Sequence, residues 1–77
     1  MESRRFEVML PIITAELVSL IMQEDSIDED KAINNLYSTK LYELLEKEQT
    51  KLWQYSTQML LELYRREMNG EFVLPEV

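Results

Sequence analysis

An all-α fold, a small bundle of three to four helices ending in a short extended C-terminal tail, is what this sequence predicts, and three observations carry the prediction. Apolar residues recur at helical spacing through most of the 77 residues. Breakers are scarce, with 1 Gly and 2 Pro, so long helices go uninterrupted. Serines and threonines stand between the apolar runs, in "EDSIDED", "LYSTK" and "QYSTQ", where helix caps belong. A chain this short holds a single core, so residues 1–77 form one domain.

The first helix is expected at about residues 4–23. Phe6, Met9, Leu10, Ile13, Leu17, Leu20 and Ile21 make one stripe, and Val8, Ile12, Ala15 and Met22 make a second beside it. A helix apolar over so much of its circumference is central to its bundle or shared with another subunit. Pro11 fits the first turn of a helix that starts near it, or sits as a mild kink in a longer helix starting near Ser3. The longer helix is the expectation.

A second helix is expected at about 27–37, entered through Ser26 and Glu29 at capping-box spacing, with acidic residues in the first turn that suit the helix dipole. Its apolar period, through Ala32, Ile33, Leu36 and Tyr37, runs on in phase into Leu41, Tyr42, Leu44 and Leu45. One continuous helix is therefore an alternative, but the weak helix formers Asn34, Asn35, Ser38 and Thr39 favour a break near Ser38 and a third helix at 39–47. Leu52, Trp53 and Tyr55 read as a buried connection. Ser56 caps a last helix at 57–68, and Gly70 supplies the left-handed residue just past its end. The tail, 70–77, carries Phe72 and Leu74 in alternation and is expected to fold back over the bundle or over a second subunit; a recognition peptide that adds to a partner's sheet edge is the alternative.

Leu17, Leu36, Leu41, Leu45, Trp53, Leu60 and Leu63 are the expected core. Val8, Ile12, Ala15, Tyr42, Tyr64, Phe72 and Leu74 are the expected interface positions. The two tyrosines fit a core margin equally well, and Trp53 has a stacking or hot-spot role as its alternative.

Net charge is −7, with eight acidic and three basic groups in residues 24–48 alone. Such a surface repels phosphate backbones, so nucleic-acid binding is not expected unless Arg4, Arg5, Arg65 and Arg66 converge into a patch. A basic protein partner fits better. The chain has neither cysteine nor histidine, which removes thiol and imidazole chemistry, disulfides and the usual zinc sites and points to the cytoplasm. No cofactor and no enzymatic activity are expected. Carboxylates at helical spacing, Glu43 with Glu46 and Glu62 near Glu67, would suit a divalent ion but read more simply as a solvated face. A calcium loop starting at Asp28 would put Ala32 at its fifth position and Ile33 at its glycine, which fails. Thr14, Glu16, Ser19 and Pro11 interrupt the longest apolar run, so a membrane span is not expected.

Tyr37, Ser38, Tyr42 and Leu45 form a serine-centred stretch, followed by acidic residues, Thr50, Trp53 and Ser56. Across residues 37–72 this pattern resembles short uncharacterised acidic helical proteins of Firmicutes, some of them similar to components of toxin–antitoxin-like operons. The resemblance implies a bacterial accessory or antitoxin-like protein; it carries no site residues. Together with the charge and the over-apolar first helix, it leads to the expectation of a non-enzymatic protein-interaction module, a homo-oligomer (dimer) that binds a basic partner. A nucleic-acid-linked regulator using an arginine patch is the alternative.

Overall fold

The long N-terminal helix forms as α1, Glu2–Asp25, with Pro11 inside it on an exposed side. The computed structural model describes residues 2–71. Beyond α1 come α2 (Glu29–Tyr37), α3 (Lys40–Leu45), two 3₁₀ turns (Glu48–Thr50 and Leu52–Gln54) and α4 (Thr57–Met68). No strand occurs among the described residues. Helix α1 is the spine on which α2, α4 and the second 3₁₀ turn pack, and α3 bridges α2 and α4.

Each break has a local cause. Ser26 leaves α1 in the left-handed region (φ 54°), and the Ile27 N–H reaches back to the Met22 carbonyl at 3.3 Å, so α1 ends without a glycine. The expected Ser26–Glu29 capping box is therefore corrected: Ser26 is used in the reversal, and Asp28, extended just before α2, takes the cap by accepting from the Lys31 N–H at 2.9 Å. Helices α2 and α3 are separate. Thr39, 5% exposed, accepts from the Tyr42 N–H at 3.1 Å and donates to the Leu36 carbonyl at 2.5 Å, capping α3 while holding the end of α2.

Lys51, at φ 60°, turns the chain between the two 3₁₀ turns. Trp53 is 4% exposed there; its indole N–H donates to the Glu48 carbonyl at 3.0 Å and its ring meets Phe6 of α1 edge-on at 5.7 Å. Ser56 accepts from the Met59 N–H at 3.2 Å and starts α4. At the far end Gly70 adopts φ 78°, with Gly70 N–H to the Glu67 carbonyl (2.9 Å) and Glu71 N–H to the Arg66 carbonyl (2.7 Å). This pair of bonds is a Schellman motif, which a left-handed glycine permits without strain. Phe72 and Leu74, expected to fold back, lie outside the described residues.

Leu17, Leu36, Leu41, Leu45, Trp53, Leu60 and Leu63 are all buried, joined by Ile13, Val18, Ile21, Ala32, Leu52 and Leu61. Tyr42 and Tyr64 are buried with them, at 8% and 0% exposure, so neither is free to meet a partner. Their rings fill space that leucines on short helices leave open.

Candidate functional site

Helix α1 buries one side and leaves the other bare. Ile13, Leu17, Val18 and Ile21 face the core, with Phe6, Met9, Leu10 and Leu20 partly covered at its margin. On the opposite side Val8 and Ile12 are 58% and 49% exposed, and Pro11, Ala15 and Ser19 are exposed beside them. At 3.6 residues per turn these five share one strip; Arg4 and Arg5 stand at its N-terminal end, and Glu7 and Glu16 fall on its two flanks. Ordinary surface helices carry charge throughout their outer face; between Glu7 and Glu16 this one carries none.

The strip is a ridge between two grooves. One, of about 600 Å³, separates α1 from α2 and is lined by Leu10, Val18, Met22, Ile33, Tyr37 and Tyr42 among others. The Tyr37 and Tyr42 rings stack at its end, 4.4 Å apart and 11° from parallel. Burial pushes the Tyr42 hydroxyl up to about 12, ahead of a lowering contribution from Thr14 and raising ones from Tyr37 and Glu46. Thr14 Oγ1 is buried in the same wall with no hydrogen-bond partner among the described residues, so it lies near the tyrosine without closing a bond. The second groove, about 590 Å³, runs along the other flank, past Met9, Ile13, Glu16, Trp53, Tyr55 and Thr57. Glu16 is fixed at its edge by the Thr57 hydroxyl, which donates to Oε1 at 2.6 Å.

Val8, Ile12 and Ala15 are thus the three expected interface residues that the structure places together on an open surface. Their stretch also needs a correction. Arg4–Asp25 is long and apolar enough to cross a membrane by length and composition, because Thr14 and Ser19 are only mildly polar and Pro11 is no barrier to a helix; the core helix of a soluble bundle has the same composition.

The arginine patch does not form. Arg65 sits at the far end of α1 from Arg4 and Arg5, about 30 Å away at ~1.5 Å per residue. There it grips Glu24 at 2.6 Å and Asp25 at 2.8 Å, contacts that push its ionisation further up, the bond to Asp25 foremost. Arg66 pairs with Glu62 at 2.7 Å. Both α4 cations are thereby neutralised locally.

Of the paired carboxylates, Glu43, Glu46 and Glu62 lie on exposed faces, and Glu67 has a structural role. Glu43 lies 3.7 Å from Lys40, and Glu62 holds Arg66. Glu67 reaches across from α4 to accept from the Lys40 N–H (2.6 Å) and the Leu41 N–H (2.9 Å) at the start of α3. With Thr39 taking the Tyr42 N–H, the first three amides of α3 are all satisfied. Spacing could not reveal this role, since Glu67 and Lys40 stand 27 positions apart. No group of three or more acidic side chains is arranged to hold a metal ion among the described residues. The surface therefore offers apolar contact and a few placed charges.

Comparison with protein-family models, curated proteins and solved structures found no match.

Proposed function

We propose that this chain is a small non-enzymatic protein-interaction module, an acidic antitoxin-like or accessory partner of a more basic protein, which docks through the outer face of α1. One observation carries the reading: the longest helix of the bundle presents Val8 and Ile12 about half exposed, with Pro11 and Ala15 beside them and no charge between. Apolar area left in water forfeits about 25 cal/mol per Å², which a partner's apolar side chains recover on binding. Grooves on both flanks make the ridge a shaped surface, which suits a helix laid along it. The −7 net charge favours basic partners by steering the encounter. A cytoplasmic setting goes with this reading, since a cysteine-free chain has no need of an oxidising compartment.

Ile12→Asp tests it. The side chain lies outside the core, so the variant should melt with the wild type. In a pull-down whose captured protein is identified, purified and titrated back, the variant should bind about tenfold more weakly or worse. Undiminished binding by a folded Ile12→Asp protein would remove α1 from the interface.

A further inference from the structure

Resting on that reading, we propose that the outer face of α1 also takes a second copy of this chain, in an antiparallel pairing that sets Arg5 against Glu16 of the second copy twice over. The first observation is a repeat. Arg5, Val8, Ile12, Ala15, Ser19 and Met22 alternate at spacings of three and four, so that Arg5 and Ile12, Val8 and Ala15, Ile12 and Ser19, and Ala15 and Met22 each stand seven apart. Val8, Ile12, Ala15 and Met22 are its apolar members, and a seven-residue repeat of this kind is the seam along which two helices interlock side chains. Val8, Ile12, Ala15 and Ser19 are exposed on this side of α1, and the small side chains of Ala15 and Ser19 let a second backbone come close.

Charge decides the direction. In an antiparallel pair related by a two-fold axis, the same flank of each helix meets itself. Seating Val8 against Ile12 of the second copy, and the reverse, puts the axis near residue 10. Arg5 then lies beside Ala15 and Glu16 of the second copy. Arg5 and Glu16 lean to the same flank of the seam, so the axis generates the contact twice. Arg5 makes no ion pair among the described residues. Glu16 is held at the seam's edge through Oε1 by Thr57, which leaves its second oxygen for a guanidinium. A parallel pair would instead gather Arg4 and Arg5 of both copies at one end, where like charges repel. Antiparallel packing also opposes the two helix dipoles. A single helix pair is small as interfaces go, so the dimer is reversible.

Charge reversal gives the test, with sedimentation equilibrium of the full chain from micromolar to submillimolar concentration as the readout and melting temperature as the check on folding. The wild type should form a dimer. Arg5→Glu and Glu16→Arg should each weaken it on the order of tenfold, since each homodimer then meets two like-charged contacts. Mixing the two variants should restore association, because a carboxylate at position 5 of one copy pairs with a guanidinium at position 16 of the other, while the second contact keeps the original Arg5 and Glu16. The double variant should recover alone, with both contacts reversed together. A wild type that stays monomeric overturns the pairing, as does a dimer indifferent to both reversals or variants that fail to rescue each other. A monomer that floats with neutral phosphatidylcholine vesicles overturns it in favour of a lipid surface. If the chain is monomeric but Ile12→Asp still loses a heterologous partner, the pairing fails while the docking reading stands.

Discussion

Tyr42 shows how one residue's surroundings set a measurable property. The residue is 8% exposed, and its hydroxyl is pushed up to about 12, chiefly by burial; Tyr64, fully buried, is raised for the same first reason. An unfolded tyrosine ionises near 10. The stability that goes with the raised value is fully present below about pH 10 and is lost as pH rises toward 12, because the unfolded chain sheds its proton first. Tyr42 alone accounts for a loss on the order of 2 kcal/mol across that window. Urea titrations at stepped alkaline pH should show the decline, and Tyr42→Phe should flatten it; an equally steep decline in that variant would assign the loss elsewhere. The sequence left the choice between core margin and interface even, since Tyr42 stands in phase with the core stripe but also close to the exposed Tyr37. Only the pairing of α2 and α3 with α1 turns the ring inward.

At the scale of elements, the short helix α3 depends on a side chain from another helix. Six residues are too few to be stable alone, and α3 persists because Thr39 caps it from within while Glu67 caps it from α4. Glu67→Ala should cost about 1–2 kcal/mol, the range of a lost cap. Hydrogen exchange at the Lys40 and Leu41 amides should quicken more than elsewhere in the chain. Unchanged protection at those two amides would show that water serves as well. The other end of α4 was more legible: a lone glycine after a helical run predicts the left-handed stop that Gly70 makes. Ser26 and Lys51, also left-handed, had no such signal, since residue type alone does not mark a serine or lysine for positive φ.

For the whole molecule the question is what joins the N-terminal half of α1 to the rest, and the answer centres on Trp53. Its ring packs on Phe6 near the start of α1, and its N–H closes the first 3₁₀ turn through Glu48. A domain of this size commands only about 3–5 kcal/mol, and Trp→Ala at a buried site costs about 3–5 kcal/mol. Trp53→Ala should therefore be largely unfolded by circular dichroism at room temperature. A cooperative thermal transition within a few degrees of the wild type would show that the corner closes without it. The opposite end of α1 is tied by Arg65 to Glu24 and Asp25. Between these anchors, the outer strip of α1 is what the bundle leaves uncovered.

By itself the sequence determined the all-α class, helices with boundaries close to those observed, the cap at Ser56, the stop at Gly70 and the leucines of the core. These follow from rules that act within a turn or two of the chain, where spacing and residue type are sufficient. The two stripes of α1 were also visible, with Val8, Ile12 and Ala15 expected on the outward one. The burial of Tyr42 and Tyr64, the reach of Glu67 to α3 and the Arg65 fork belonged to the tertiary structure. The Glu67 and Arg65 contacts join groups 26 to 41 positions apart. Such groups meet only when whole helices settle against one another, a choice made by packing across the entire core.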